Sequence, residues 1–271
     1  MSSHTTVLQA RGVTKAFEQS TVLHGVDLKI RSGEFVAVMG PSGSGKSTFL
    51  YALSGMDAIS AGSVHVAGSD LSSLDQKALA QLRLTTMGFI FQHVHLLKNL
   101  SVLDNIVLPA YYAAQGARTR AWRPWARRPR VSRAQSSRAQ LRARALELMA
   151  RTGIADLADR DITAASGGQL QRVGICRALI NEPMLLLGDE PTGALDSAAA
   201  GEVMDILTDL NAQGMTLMLV THDARIAARA GRVAYMLDGQ IVAERNLGPL
   251  AGQDLDTRHR AVAGWLATAG S

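Results

Sequence analysis

The stretch GPSGSGKST, Gly40 to Thr48, follows an apolar run and opens a helical pattern. Its spacing is G-x-x-x-x-G-K-[ST], in the setting that a phosphate-binding loop requires. Gly40, Pro41, Ser42, Gly43, Ser44 and Gly45 keep the loop compact, so that consecutive backbone N–H groups turn inward around phosphate oxygens. The helix that follows adds roughly half a positive charge at its N-terminus. Lys46 reaches the β and γ phosphates, the Ser47 hydroxyl ligates Mg2+ and ends the motif, and Thr48 follows it as a further nucleotide-binding candidate. A second apolar run ends in LLLGDEPTG. Asp189, at the tip of a buried strand, is placed to hold the Mg2+ ion through its water shell. The adjacent Glu190 is placed to polarise an attacking water as general base. Between the two lies AASGGQLQRVGICRAL, in which Ser166 is expected to cap a helix. The bare amides of Gly167 and Gly168 then form a second anion site.

Those residues need a buried sheet behind them. FVAVM at 35–39, MLLLG at 184–188, TLMLV at 216–220 and VAYML at 233–237 are almost wholly apolar, the mark of parallel strands covered on both faces. Helical patterns alternate with them at 47–54, 141–151, 169–180 and 198–211, and Pro183 stops the third. VLQARGVTKAF and TVLHGVDLKI alternate instead, which predicts an antiparallel sheet at the front of the chain. Residues 93–180 contain no convincing buried strand and read as a helical insert, and the tail after Gly248 is weakly patterned.

The order of further motifs resembles the ATP-binding cassette of ABC transporters, whose signature is usually L-S-G-G-Q. The likeness runs from about Val7 to Ala243. It implies an α/β fold: a P-loop NTPase (RecA-like) core with a parallel sheet, an N-terminal antiparallel β subdomain and an inserted α-helical subdomain. One domain over 1–271 is expected. Its core comprises 1–92 and 181–245, the helical subdomain 93–180 carries a basic insert at 115–140, and 246–271 is a tail.

The resemblance also assigns site residues. Phe17 corresponds to the aromatic that stacks on adenine. Gln92, in GFIFQ, corresponds to the glutamine that senses Mg2+ and nucleotide. Ser166, Gly167, Gly168 and Gln169 match the signature, Asp196 ends the ALD motif at 194–196, and His222 in VTHD matches the histidine that contacts the γ-phosphate. Together with Glu190, His222 and Gln92 form the expected catalytic set, while Ser47, Gln92 and Asp189 form the Mg2+ set. The resemblance further implies a head-to-tail dimer in which the signature of one copy closes over ATP held by the phosphate loop of the other. Hydrolysis then weakens the closed dimer and shifts its population. Ala165 stands where the family usually has Leu, removing an apolar contact but neither the serine hydroxyl nor the glycine amides.

LYALSGMD, MGFIFQ, GICRALINEP, GDEPTGALDS and MLDGQIV resemble the branch that contains lipoprotein-releasing, macrolide-export and peptide-resistance ATPases, with the third and fourth leaning toward the last. This implies an integral membrane permease as partner and a peripheral place on the cytoplasmic face of the membrane. The alternative is a cassette that regulates a permease-like partner in a cell-division or cell-wall hydrolase complex. A soluble relative acting on nucleic acid or ribosomes fits less well, since such proteins show two cassettes or long heptad insertions.

Composition agrees with a local partner surface. The formal charge is +5, and GARTRAWRPWARRPRVSR at 116–133 supplies +7, leaving −2 elsewhere. Arg118, Arg120, Arg123, Arg127, Arg128, Arg130 and Arg133, with Trp122 and Trp125, suit anionic lipid headgroups or a permease face. A basic insert on an otherwise acidic body does not suit nucleic acid. The start of the chain lacks a secretory pattern, no apolar run is long enough to span a membrane, and a soluble chain is expected. Lone Cys176 suits a reducing compartment and reads as a small core residue. His93 and His95 lack the neighbours a metal site needs, and Asp205 with Asp209 reads as a solvated helix face.

Overall fold

The computed structural model describes residues 5–18, 20–117, 138–250 and 252–269. In chain order these form β1 (Thr6–Phe17), β2 (Ser20–Arg31), β3 (Phe35–Met39), α1 (Lys46–Leu53), β4 (Ala61–Val66), β5 (Ser69–Asp70), α2 (Gln76–Thr86), β6 (Met87–Phe91) and α3 (Val102–Ala117). They continue with α4 (Arg138–Arg151), α5 (Gly167–Leu179), β7 (Leu185–Asp189), α6 (Ser197–Ala212), β8 (Thr216–Val220), α7 (Ala224–Ala227), β9 (Arg232–Leu237), β10 (Gln240–Asn246) and α8 (Leu255–Ala269). The chain folds as two compact units, one of residues 1–74, 187–190 and 207–271, the other of 75–186 and 191–206.

In the first unit an antiparallel sheet, ordered β2-β1-β4-β5, matches the alternating pattern at the front of the chain. Beside it in sequence, β3 is flanked in parallel by β8 and β9, and β10 pairs antiparallel with β9. β3 and β8 are buried at every residue, as their almost wholly apolar runs predict for strands covered on both faces. The apolar run at 184–188 becomes β7, whose last residues, Leu187–Asp189, belong to this unit.

The second unit is mostly helical. Val102, Leu103, Ile106 and Val107 of α3 meet Leu141, Ala145 and Met149 of α4 and Val173 and Cys176 of α5 in one cluster. The spacings of three and four residues put each set on a single helix face. β6 is a short strand in this unit that the chain's periodicity did not disclose. Exposed Asp205 and Asp209 lie on α6 as expected.

Cys176 is fully buried, 3.2 Å from Thr152 Oγ1, and burial pushes its thiol up to about 11 despite the bond to Thr152. Only about one part in a thousand is thiolate at about pH 8, and the thiolate is the reactive form. Iodoacetamide should therefore leave the folded protein unlabelled at that pH and label it stoichiometrically in denaturant. Equal labelling by mass spectrometry in both conditions would contradict this packing.

Candidate functional site

Buried β3 ends at Met39, and the chain turns through Gly40 into the loop ahead of α1. A Cβ on Gly40 would stand 2.0 Å from the carbonyl oxygen of Met236 and 2.7 Å from Ser44 Oγ, so only glycine fits the turn. Gly45 caps α1 at φ 97°, in the left-handed region, and no side chain accepts from the helix's first amides. Those amides form an anion site at a helix of the required length. Ser44 Oγ is buried without a hydrogen-bond partner and faces the same turn, the condition expected of a group that serves an absent acceptor or donor.

Lys46 donates to the carbonyl oxygens of Gly40 at 3.0 Å and Pro41 at 2.7 Å, which holds its ammonium inside the loop. Burial lowers its pKa, against the opposing pull of Glu190 and Asp189. Ser47 Oγ donates to Asp189 Oδ1 at 2.9 Å, so the hydroxyl and the carboxylate expected at a Mg2+ ion are already adjacent. Two hard oxygen donors at this spacing fit such an ion. Half-buried Thr48 follows on α1.

Tyr51 was not among the residues expected at the site. One turn after Ser47 on α1, its hydroxyl donates to Asp189 Oδ2 at 3.2 Å. Burial, then the Asp189 charge and this bond, push its phenol up, which keeps the donor protonated. The i, i+4 spacing from Ser47 was the available clue.

Glu190 occupies the left-handed region at φ 47°, a conformation that costs a non-glycine residue about 1 kcal/mol or more. Its amide donates to Val220 at the end of β8, and its carboxylate lies 2.7 Å from His222 Nδ1 and accepts from Thr221 Oγ1 at 3.4 Å. The carboxylate is thus aimed by two adjacent residues of the strand end. Phe17, at the end of β1, is half exposed, and the Lys15 ammonium sits 4.7 Å from its ring centroid. Lys15 is itself fixed by Asp57 at 2.6 Å and the carbonyl of Ala58 at 2.7 Å. Phe17, the phosphate loop, Asp189, Glu190 and His222 therefore all belong to the first unit.

The second unit carries Gln92, Ser166–Gln169 and Asp196. Ser166 caps α5 as expected, in a reciprocal capping box: Ser166 Oγ accepts from the Gln169 amide at 3.3 Å, and Gln169 Oε1 accepts from the Ser166 amide at 2.8 Å. Ala165 still packs against the helical core. Exposed Gln92 follows β6, and α5 grips the chain on both sides of it. Buried Gln171 donates to Phe91 O at 3.0 Å, while Arg177 donates to the carbonyls of Val94 and His95. The glutamine and signature segments are thus tied together, which the sequence reading missed because Gln171 and Arg177 look like ordinary helix residues. Asp196 Oδ1 accepts from the amides of Ala198 at 3.0 Å and Ala199 at 2.9 Å and caps α6. The rings of His93 and His95 lie 6.4 Å apart, and among the described residues no group of three or more His, Cys, Asp or Glu is placed to hold a metal. The basic stretch from Arg118 to Arg133 lies outside the described residues.

Comparison with known proteins agrees with this architecture. Residues 23–193 match the family model described as ABC transporter. The macrolide export ATP-binding/permease protein MacB of Rhodopseudomonas palustris (strain HaA2) is 44% identical over 250 residues, covering 91% of this chain and 35% of that protein. MacB 1/2 of Paracoccus denitrificans (strain Pd 1222) is 44% identical over 246 residues, covering 89% of this chain and 34% of that protein. The chain thus spans about a third of the length of the curated relatives it matches. Their names fall in the macrolide-export part of the branch that the motifs resemble. The dimeric structure of MJ0796, a bacterial ABC transporter cassette, superposes with a TM-score of 0.76 at 35% identity, covering 89% of this chain and 98% of that one. A dimeric post-hydrolysis state of MJ0796 bound to ADP and Pi gives 0.75 at 34% identity. The chain belongs to the ABC transporter family, as an ATP-binding cassette with the P-loop α/β fold.

Proposed function

We propose that this cassette binds MgATP at Gly40–Thr48 and hydrolyses it to drive a membrane permease. The observation that carries the reading is the convergence, within one unit, of the phosphate loop, the Ser47–Asp189 pair and the Glu190–His222 pair. The loop amides and Lys46 grip the phosphates, while Ser47 and Asp189 would hold Mg2+. Bound there, Mg2+ would neutralise charge developing on the phosphate oxygens. Glu190 takes the proton of the attacking water, and His222 orients Glu190 and meets the γ-phosphate.

Phe17 offers a face to adenine while Lys15 holds the ring. A base–aromatic stack contributes about 1–3 kcal/mol, so Phe17→Ala should raise the KM for ATP about 5- to 150-fold with kcat little changed. An unchanged KM in a steady-state assay would remove Phe17 from the site.

The signature, Ser166 to Gln169, and Asp196 are read as closing over ATP held by a second copy, which supports a nucleotide-dependent homodimer. Relatives named for macrolide export support an export system, with the cassette on the cytoplasmic face of the membrane beside its permease. Co-purification of a multi-helix membrane protein tests that partnership; recovery of RNA or ribosomes instead would overturn it. Among the described residues no helix is long and apolar enough to cross a membrane. The seven arginines of the basic insert, at about 1 kcal/mol each near an anionic leaflet, are read as a lipid contact. Replacing them with serine should sharply weaken binding to phosphatidylglycerol vesicles at low salt while leaving ATP hydrolysis intact. Unchanged vesicle binding would defeat the lipid reading.

A further inference from the structure

The weakly patterned tail folds into α8, and one residue anchors it. Arg258 is 4% exposed, and its guanidinium donates from Nε to Ala228 O at 2.7 Å and from Nη2 to Ala230 O at 2.6 Å and Gly248 O at 3.2 Å. Nη1 donates to Leu247 O at 3.0 Å, Pro249 O at 3.2 Å and Gln253 Oε1 at 2.8 Å. Every one of these acceptors is neutral. A buried cation without a carboxylate is tolerated only when its donors are satisfied, and here the planar fork engages three separate pieces of chain. Ala228 and Ala230 end the turn of α7, Leu247 to Pro249 leave β10, and Gln253 precedes α8 itself. The same helix also sets Trp265 edge-on to Tyr235 of β9, with ring centroids 6.4 Å apart.

His222 lies two residues ahead of the other end of α7. Its imidazole is 71% exposed, so its position follows from the backbone beneath it and from the bond to Glu190 Oε1. That backbone is a single short turn: Thr221 Oγ1 accepts from the Asp223 amide at 3.1 Å, and Asp223 caps α7 through the Arg225 amide at 2.7 Å. Ala228 and Ala230, two of the residues whose carbonyls Arg258 grips, lie only six and eight residues past the histidine, and the four helical residues between rise only about 6 Å. One turn over that distance moves as a piece.

We propose that Arg258 is a positioning residue for His222: by fixing the carbonyl end of α7 it sets where the imidazole stands relative to Glu190, and so links the C-terminal helix to turnover. This rests on the reading of His222 as a group that acts at the phosphate site. Lysine has three donors on a point charge where arginine has five in a fork, so Arg258→Lys keeps the cation and loses the clamp.

The test uses the full chain and compares wild type with Arg258→Lys, Arg258→Met and His222→Ala. The imidazole nitrogens are observed by NMR, with the His222 signal identified by its loss in His222→Ala. The expected result is a shifted His222 signal in both Arg258 variants with the His65 signal in place, kcat lowered at least about tenfold, and KM for ATP within about twofold of wild type. Should Arg258→Met lose its helical circular dichroism, Arg258→Lys carries the decision. A His222 signal that stays put, His65 shifting as much as His222, or a rise in KM with kcat unchanged overturns the proposal. Wild-type kcat in His222→Ala overturns instead the reading of His222 on which it rests.

Discussion

Lys46→Met is expected to weaken ATP binding by about one to two orders of magnitude and to remove measurable turnover at ordinary ATP concentrations. The lysine is the cation within the loop, with its ammonium 3.0 Å from Gly40 O and 2.7 Å from Pro41 O. A hydrogen bond to a charged group contributes about 1.5–3 kcal/mol, or about 10- to 150-fold in affinity. Methionine keeps the length and apolar stem of the side chain, so the loss falls on charge rather than on packing. Titration with a fluorescent ATP analogue, followed by displacement with ATP, measures it. Affinity within about twofold of wild type would mean that the loop does not grip phosphate through this residue. The depressed pKa of Lys46 also fixes a sign: raising the pH deprotonates it earlier than an exposed lysine, so alkaline solution should weaken ATP binding first through this group.

Glu190→Gln carries the second large effect, a loss of about 100- to 10,000-fold in kcat with ATP binding retained. The amide is nearly isosteric, and its oxygen can still accept from Thr221 and His222, so the left-handed backbone at φ 47° and the strand end need not move. What disappears is the ability to take a proton. A cassette that binds but does not hydrolyse should remain in its closed state, so the variant should run as a dimer in ATP on size exclusion while wild type returns to monomer as ATP is spent. A variant that stays monomeric in ATP would contradict the head-to-tail closure assigned to Ser166–Gln169.

The parts of this molecule that were legible in the sequence are those in which local pattern and local structure coincide. β3 and β8 announce themselves because strands buried on both faces leave almost no polar residue in the run, and Ser166 because the glycines after it need a side-chain cap. The phosphate loop was legible because glycine, lysine and serine must recur at fixed spacing to wrap a phosphate. Other contacts depend on distant chain. Tyr51 becomes part of the site only because Asp189 arrives from the end of β7, and Gln171 grips Phe91 O from a helix far along the sequence. Arg258 was the least legible. Its partners are backbone carbonyls, which every residue supplies, so neither charge pairing nor periodicity marks it, and the helix it anchors has a mixed surface. The Lys15–Phe17 contact was within reach, since residues two apart on a strand share a face.

The central claim is that this chain hydrolyses ATP at the site formed by Lys46, Ser47, Asp189, Glu190 and His222. It is tested most directly by measuring phosphate release from ATP with Mg2+ by the purified chain beside its Glu190→Gln variant. Steady release by wild type, at least about a hundred times that of the variant, is the predicted result. A wild-type rate no faster than the variant's would contradict it.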